Sequence, residues 1–170
     1  MTSHNAMSTA IAMAAENGTG WVTVCNSNHC GAGAYYVLMA AKQDMIGIFY
    51  STGGTTVTGP GGVERLIGNN VMAFAAPGKS HGPFVFDMAP TMVIANKLHA
   101  LQWEGKSMPD GWAVDSEGRF INDPKAYFEQ KGAILPLGST ATHGIHKQEV
   151  VENLQMMSLE LKLPMDDIWE

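Results

Sequence analysis

Cys25, His29 and Cys30 stand close together in "CNSNHC", and His143 and His146 form an i, i+3 pair in "THGIHK". Thiolate and imidazole are soft ligands that suit zinc. No CxxC pair is present, however, and the two groups lie far apart in the chain, so packed thiols and solvated histidines account for them better. No metal site is expected. His29 has another possible use. It sits between a β-branched run and a helix-forming run, flanked by Asn26, Asn28 and small residues that leave room for a ligand, where an imidazole can act as general acid or base. An isolated histidine is more often structural. Asp87, closing "PFVFD", is similarly two-sided: an N-cap for a helix beginning near Thr91, or a carboxylate at a strand end that positions a cofactor group.

The stretch "SNHCGAGAYY", residues 27 to 36, also has the glycines of a dinucleotide-binding turn. Such a turn brings a pyrophosphate to a helix N-terminus. Counted from Gly31, however, Tyr36 stands where the third glycine belongs. Polar residues and a cysteine separate the preceding run from the first glycine, and the next strand ends in Phe49-Tyr50-Ser51, without an acid to hold a ribose. These letters do not make a Rossmann fingerprint.

The elements that must hold these residues follow from periodicity. Small and apolar residues at Ala6, Met7, Ala10, Ile11 and Ala14 predict a helix from Ser3 to Asn17, stopped by Gly18. "WVTVC", residues 21 to 25, predicts a strand, and Ala34 to Lys42 a helix. "MIGIFYS" predicts a strand over 45–51, and the glycine-rich stretch from Thr52 to Asn70 leaves room only for short strand pieces. "VMAFAAP" and "PFVFDMA" read as two strands around a turn at Pro77 to Gly82. Thr91 to Glu104 returns to helical spacing, with Gly105 as its stop. Asp115 to Gly118 marks a hairpin. Asp123-Pro124 starts a short helix, and Gln148 to Lys162 carries one apolar helical face.

The totals set outer bounds. A chain of 170 residues, 45% hydrophobic, suffices for one ordinary core, alone or as part of a larger domain. A net charge of -6 without a Lys/Arg cluster argues against nucleic acid as a partner. Two cysteines so close together, no basic and apolar leader, and no run long enough for a membrane span lead us to expect a reduced, cytoplasmic protein.

Taken together, "AMSTAIAMAAENGTGWVTVCNSNHCGAGAYY", "IGIFYST", "GPGGVERLIGNNVMAFAAP", "FVFDMAPT", "PDGWAVDSEGRFINDP" and "ILPLGSTATHGIHK" resemble the malate/L-lactate dehydrogenase family, which also contains ureidoglycolate and sulfolactate dehydrogenases. The resemblance runs from Ala6 to Lys147. It implies an α/β, non-Rossmann fold: a mixed, largely antiparallel sheet with flanking helices that binds NAD or NADP, typically in a homodimer. It also implies hydride transfer between the nicotinamide and a 2-hydroxy or 2-oxo acid. On this likeness His29 matches the family's proton donor or acceptor. Asp87, Met88 and Ala89 match a segment that contacts the dinucleotide, and Gly138, His146 and Lys147 match a late cofactor loop. Ser51 and Thr52 are weaker polar contacts to substrate or cofactor.

The chain departs from the family pattern in ways that shape these expectations. Family members have a further N-terminal segment with another histidine, and they continue past the loop that ends at Lys147. Here Gln148 stands where a glycine is usual. We therefore expect residues 1–147 to form a nicotinamide-binding core and 148–170 a divergent, helical tail, together about half of a family member, active or an inactive fragment of one. The alternative is a non-catalytic interaction protein that kept the scaffold and associates with a family member through uncovered apolar surface.

Overall fold

The computed structural model describes residues 2–139, so His143, His146, Lys147 and the expected 148–170 tail lie outside the described residues. The elements run α1 (Thr2–Asn17), α2 (Gly33–Ala41), β1 (Gly47–Tyr50), β2 (Thr55–Val57), β3 (Ile67–Gly68), β4 (Met72–Ala76), β5 (Phe84–Met88), α3 (Ala95–Glu104), β6 (Ala113–Val114), α4 (Pro124–Glu129) and β7 (Ala133–Ile134). They fall into two compact units, one of residues 2–53 and 70–89, the other of residues 54–69 and 90–139.

The first unit is a three-stranded antiparallel sheet, order β1-β4-β5, with two helices. β4 is its central strand, buried from Ala73 to Ala76, and its small Ala73 and Ala75 side chains let a helix approach closely. That helix is α2. Gly33, Tyr36, Val37, Ala40 and Ala41 recur at helical spacing, so they form one face, and all of them are buried. Val37, Ala41, Ala73 and Ala75 form its core with Phe49 packed against them. The first helix is less committed: only Ile11 is buried, and His4 Nδ1 meets the Tyr35 hydroxyl at 3.0 Å to tie α1 to α2.

The second unit has a four-stranded sheet, order β3-β2-β7-β6, in which β2 and β7 are parallel and the other pairs antiparallel. Its core gathers Val57, Leu98, Leu101, Tyr127 and Ile134 around the inner faces of α3 and α4. Two buried hydroxyls in this unit, of Thr58 and Tyr127, have no hydrogen-bond partner among the described residues. The Asp123 carboxylate caps α4 by accepting from Lys125 N–H at 2.9 Å, with Pro124 as the first helical residue.

The α/β architecture with mixed, largely antiparallel sheets is the one expected, and most elements lie where periodicity put them. Two expectations are corrected. Trp21 to Cys25 is not a strand: residues 19–32 form no helix or strand, and Trp21 is 70% exposed. Among the described residues no strand lies alongside to complete a ladder, and β propensity without a partner does not make a strand. The third helix begins at Ala95 rather than Thr91, because Thr91 is taken up in a bridge to Pro136 and its hydroxyl bonds Asn69 Oδ1 and Val93 O, both at 3.0 Å.

The hairpin expected at Asp115 to Gly118 is present, and the aspartate organises it. Its Oδ1 accepts from the amides of Glu117 and Arg119, at 2.8 and 3.0 Å, and Arg119 Nε donates to Oδ2 at 2.9 Å. The Arg119 side chain, helped by these amides, holds the Asp115 carboxyl below its ordinary 3.8 against the opposing effect of burial. The folded state thus favours the ionised form. The stability it contributes is complete above the unfolded value and is lost as pH falls through the lower folded one. Urea unfolding at a series of pH values should show Asp115→Asn less stable than the parent at pH 7, with the gap narrowing below about pH 4; a constant gap would refute this account.

Candidate active site

The stretch linking α1 to α2 carries the candidate chemistry. It runs in irregular, exposed conformation from Thr19, turns through Asn26 at φ 54°, and reaches His29 four residues before α2 begins. Asparagine tolerates that left-handed backbone. Beside the first turn of α1 the stretch bounds an open polar cleft of about 300 Å³, lined by Ser3, Asn26, Asn28, His29, Cys30 and Tyr36 among others. His29 is exposed on this cleft, not sealed in a core.

Several contacts hold the cleft's inner wall. Tyr36 is buried on α2, stacked on Phe49 with ring centroids 4.9 Å apart, and its hydroxyl donates to the Cys30 carbonyl. Cys30 Sγ lies 3.7 Å from Ser51 Oγ, and the Ser51 amide continues the sheet by donating to Val71 O at 2.9 Å. Gly31 N–H donates to His29 Nδ1 at 3.0 Å.

For Asp87 the structure answers only the capping expectation. The residue does not cap the helix that follows it in sequence. From β5 its Oδ2 accepts from Ala34 N–H at 2.7 Å, in the first turn of α2, whose own preceding residue, Ala32, offers no side-chain cap. A carboxylate on a helix-start amide is a charge-assisted bond at the favourable end of the dipole. Gly33 makes this possible: a Cβ there would lie 2.7 Å from Ala73 Cβ and 3.1 Å from Asp87 Oδ1. Of the two glycines of "GAGAYY", Gly33 therefore serves close packing of helix on sheet and Gly31 a turn at φ 80°, and the helix start where a Rossmann phosphate would sit is filled by the protein's own carboxylate.

The structure thus brings His29, Ser51 and Asp87 together around the start of α2, through Cys30 and Ala34. Met88 and Ala89 continue from Asp87, half-buried, with Met88 paired to Met72 at the end of the β4–β5 ladder. Thr52 is exposed beyond β1. Gly138 belongs to the other unit, where at φ 84° its amide meets Met92 Sδ at 3.0 Å. Tyr36 was not singled out from sequence; its place on the buried face of α2 was the available signal. A larger depression, about 460 Å³, lies in the second unit between Gln102–Ser107 and Asn122–Lys125. Its acid, Asp123, is occupied as a cap, which leaves the smaller cleft as the candidate site. Among the described residues no three His, Cys, Asp or Glu side chains gather to hold a metal, and no helix is long and apolar enough to cross a membrane.

A mixed-sheet α/β scaffold whose glycine turn packs a helix instead of cradling a phosphate defines a non-Rossmann class. Comparison with known proteins gives the family. A family model described as malate/L-lactate dehydrogenase matches residues 1–154, and the chain belongs to that family. The malate dehydrogenase of Pyrococcus abyssi is 43% identical over 135 residues, which are 79% of this chain and 37% of that protein. The NAD(+) ureidoglycolate dehydrogenase of Escherichia coli K12 is 36% identical over 139 residues, 82% of this chain and 39% of the relative. Among solved structures, malate dehydrogenase from Entamoeba histolytica superposes with a TM-score of 0.76 at 31% identity, covering 90% of this chain and 45% of that one. The chain therefore spans less than half the length of the relatives it matches.

Gly33→Ala should force β4 and α2 apart. We expect a loss of about 1–3 kcal/mol in urea unfolding, the usual range for a group inserted into a packed contact, together with faster hydrogen exchange at the Ala34 amide. Unchanged stability would mean that helix and sheet are not held this closely.

Proposed function

We propose that this chain carries one side of the active site of a nicotinamide-dependent oxidoreductase acting on 2-hydroxy and 2-oxo acids, with His29 exchanging the proton at the substrate oxygen. The observation that carries the reading is His29 itself, exposed on a polar cleft and backed by Tyr36, Cys30 and Ser51, in a member of a dehydrogenase family.

A bound nicotinamide supplies or accepts the hydride; the protein contributes binding, orientation and proton transfer. Asp87, Met88 and Ala89 suit the nicotinamide end of such a cofactor. They close β5, the edge strand of the first unit's sheet, whose outer backbone groups offer amides and carbonyls complementary to a carboxamide. The Asp87 carboxylate would repel a phosphate, so the pyrophosphate belongs elsewhere. Gly138, and with it His146 and Lys147, are our candidates for other parts of the dinucleotide, with Ser51 and Thr52 as polar contacts to substrate or cofactor. Either NAD or NADP fits this scheme, and a homodimer is the assembly we expect.

His29 lowers the barrier because the substrate oxygen changes its proton count as hydride moves. In oxidation a hydroxyl proton must leave as the carbon loses hydride, and in reduction the oxygen must gain one. A second reading, association with another polypeptide, is favoured by one feature: the exposed run Trp21 to Cys25, with Trp21, Val22 and Val24 all open to solvent.

Titration with NADH and NADPH, followed by nicotinamide fluorescence, should show binding. His29→Ala should lower turnover of malate, lactate or related acids by about 10²–10⁴-fold while leaving that binding largely intact. Equal turnover in the variant would remove His29 from the mechanism, and a well-folded parent that binds neither cofactor would overturn the assignment.

A further inference from the structure

The peptide group between Cys30 and Gly31 is held at both ends. Its carbonyl accepts from the Tyr36 hydroxyl, and its amide donates to His29 Nδ1 at 3.0 Å. Because a trans peptide is planar, its C=O and N–H point in opposite directions, so anchoring one aims the other. Accepting at the carbonyl also polarises the group and strengthens the amide as a donor. Gly31, at φ 80°, carries the chain onward in a conformation that an L residue adopts only with strain.

A backbone amide can only donate, so the ring nitrogen it meets must be the bare one, and in a neutral imidazole the proton is then on the other nitrogen. We infer that Tyr36 is a positioning residue which, through the Cys30–Gly31 peptide, sets His29 as the Nε2–H tautomer and presents it to a substrate oxygen as a hydrogen-bond donor. This rests on the dehydrogenase reading for its chemical consequence but not for the tautomer itself.

The consequence concerns direction. A 2-oxo acid offers an oxygen that can only accept, which matches a ring offering Nε2–H. As hydride from the nicotinamide adds to the carbonyl carbon, the C=O π pair moves to oxygen and one proton must arrive there. For His29 to give that proton and finish as neutral imidazole it must begin as imidazolium, with hydrogen on Nδ1 and the Gly31 bond broken. In the reverse direction, taking a hydroxyl proton at Nε2 requires that nitrogen to be bare, hence the other tautomer, and again the loss of the Gly31 bond. The resting loop therefore offers the oxo acid a hydrogen-bond donor, and net proton transfer in either direction requires the Gly31 bond to open first.

Long-range ¹H–¹⁵N correlation spectra of the histidine-labelled chain, with His29→Gln to assign the resonance, test this directly. With the ring neutral, His29 should give a single Nε2–H pattern, and the Gly31 amide should shift when the ring gains its second proton. Tyr36→Phe keeps the ring on Phe49 and removes only the hydroxyl; with thermal unfolding confirming a folded variant, its His29 signals should move toward the averaged pattern of a free imidazole. An Nδ1–H pattern in the parent, a Gly31 amide indifferent to the ring's second proton, or a Tyr36→Phe spectrum identical to the parent's would each overturn the inference. The spectra need neither cofactor nor substrate, so their outcome is independent of whether the dehydrogenase reading holds.

Discussion

The contact on which the first unit depends is the Asp87 carboxylate on the Ala34 amide, made across a glycine that has no room for a methyl group. It joins the end of β5 to the start of α2, and so fixes where the loop from Asn26 to Ala32 must deliver the chain. Remove the close approach of Gly33 to Ala73 and the carboxylate no longer reaches the amide. Everything the cleft offers lies on this path: the Cys30–Gly31 peptide just before the helix, Tyr36 on its first buried turn, and Ser51 where β1 ends against β4. A buried alanine-rich strand, in this light, is a device for closeness, because each missing side-chain atom on β4 lets α2 sit lower.

Much of this fold was legible from the chain itself. β4 and β5 could be read because two apolar runs flank a turn whose glycines and prolines allow no other element. The fourth helix could be read because an Asp-Pro pair states both its cap and its first residue, and the hairpin because Asp115 and Gly118 meet the needs of a tight reversal. These are local signals, satisfied by neighbours in sequence. Trp21 to Cys25 fails for the opposite reason. Its β-branched residues state a preference, but a strand is a relation between two segments, and the second is not among the described residues. Asp87 was misjudged in the same way: a cap was recognised, yet the helix it serves lies more than fifty residues earlier in the chain, which no local rule can supply.

The candidate site shows the same division at finer scale. That His29 sits before a helix and beside small polar residues was readable, and that "GAGAYY" departs from the Rossmann fingerprint could be argued from spacing alone. Tyr36 could not be singled out, because a tyrosine on the buried face of a helix is sufficiently explained by packing. Its importance lies in the direction of its hydroxyl, which meets a carbonyl six residues back in the chain. Residue type records which groups are present; it does not record which way a peptide plane faces, and at this site the plane decides which imidazole nitrogen bears the proton.

The loop's two sides differ in how firmly they are held. From Cys30 onward it is tied to α2 by Tyr36 and to the sheet by Ser51, both half-buried contacts, and to β5 through the exposed Ala34–Asp87 bond. Before His29 it is exposed at every residue from Trp21 on. Local opening starts where buried contacts are fewest, so the ring stands at the boundary between a fixed wall and a yielding approach. A histidine that must release one hydrogen bond each time it moves a proton is well placed there, since the approach can give way while the α2 start, and with it the geometry that restores the bond, stays fixed.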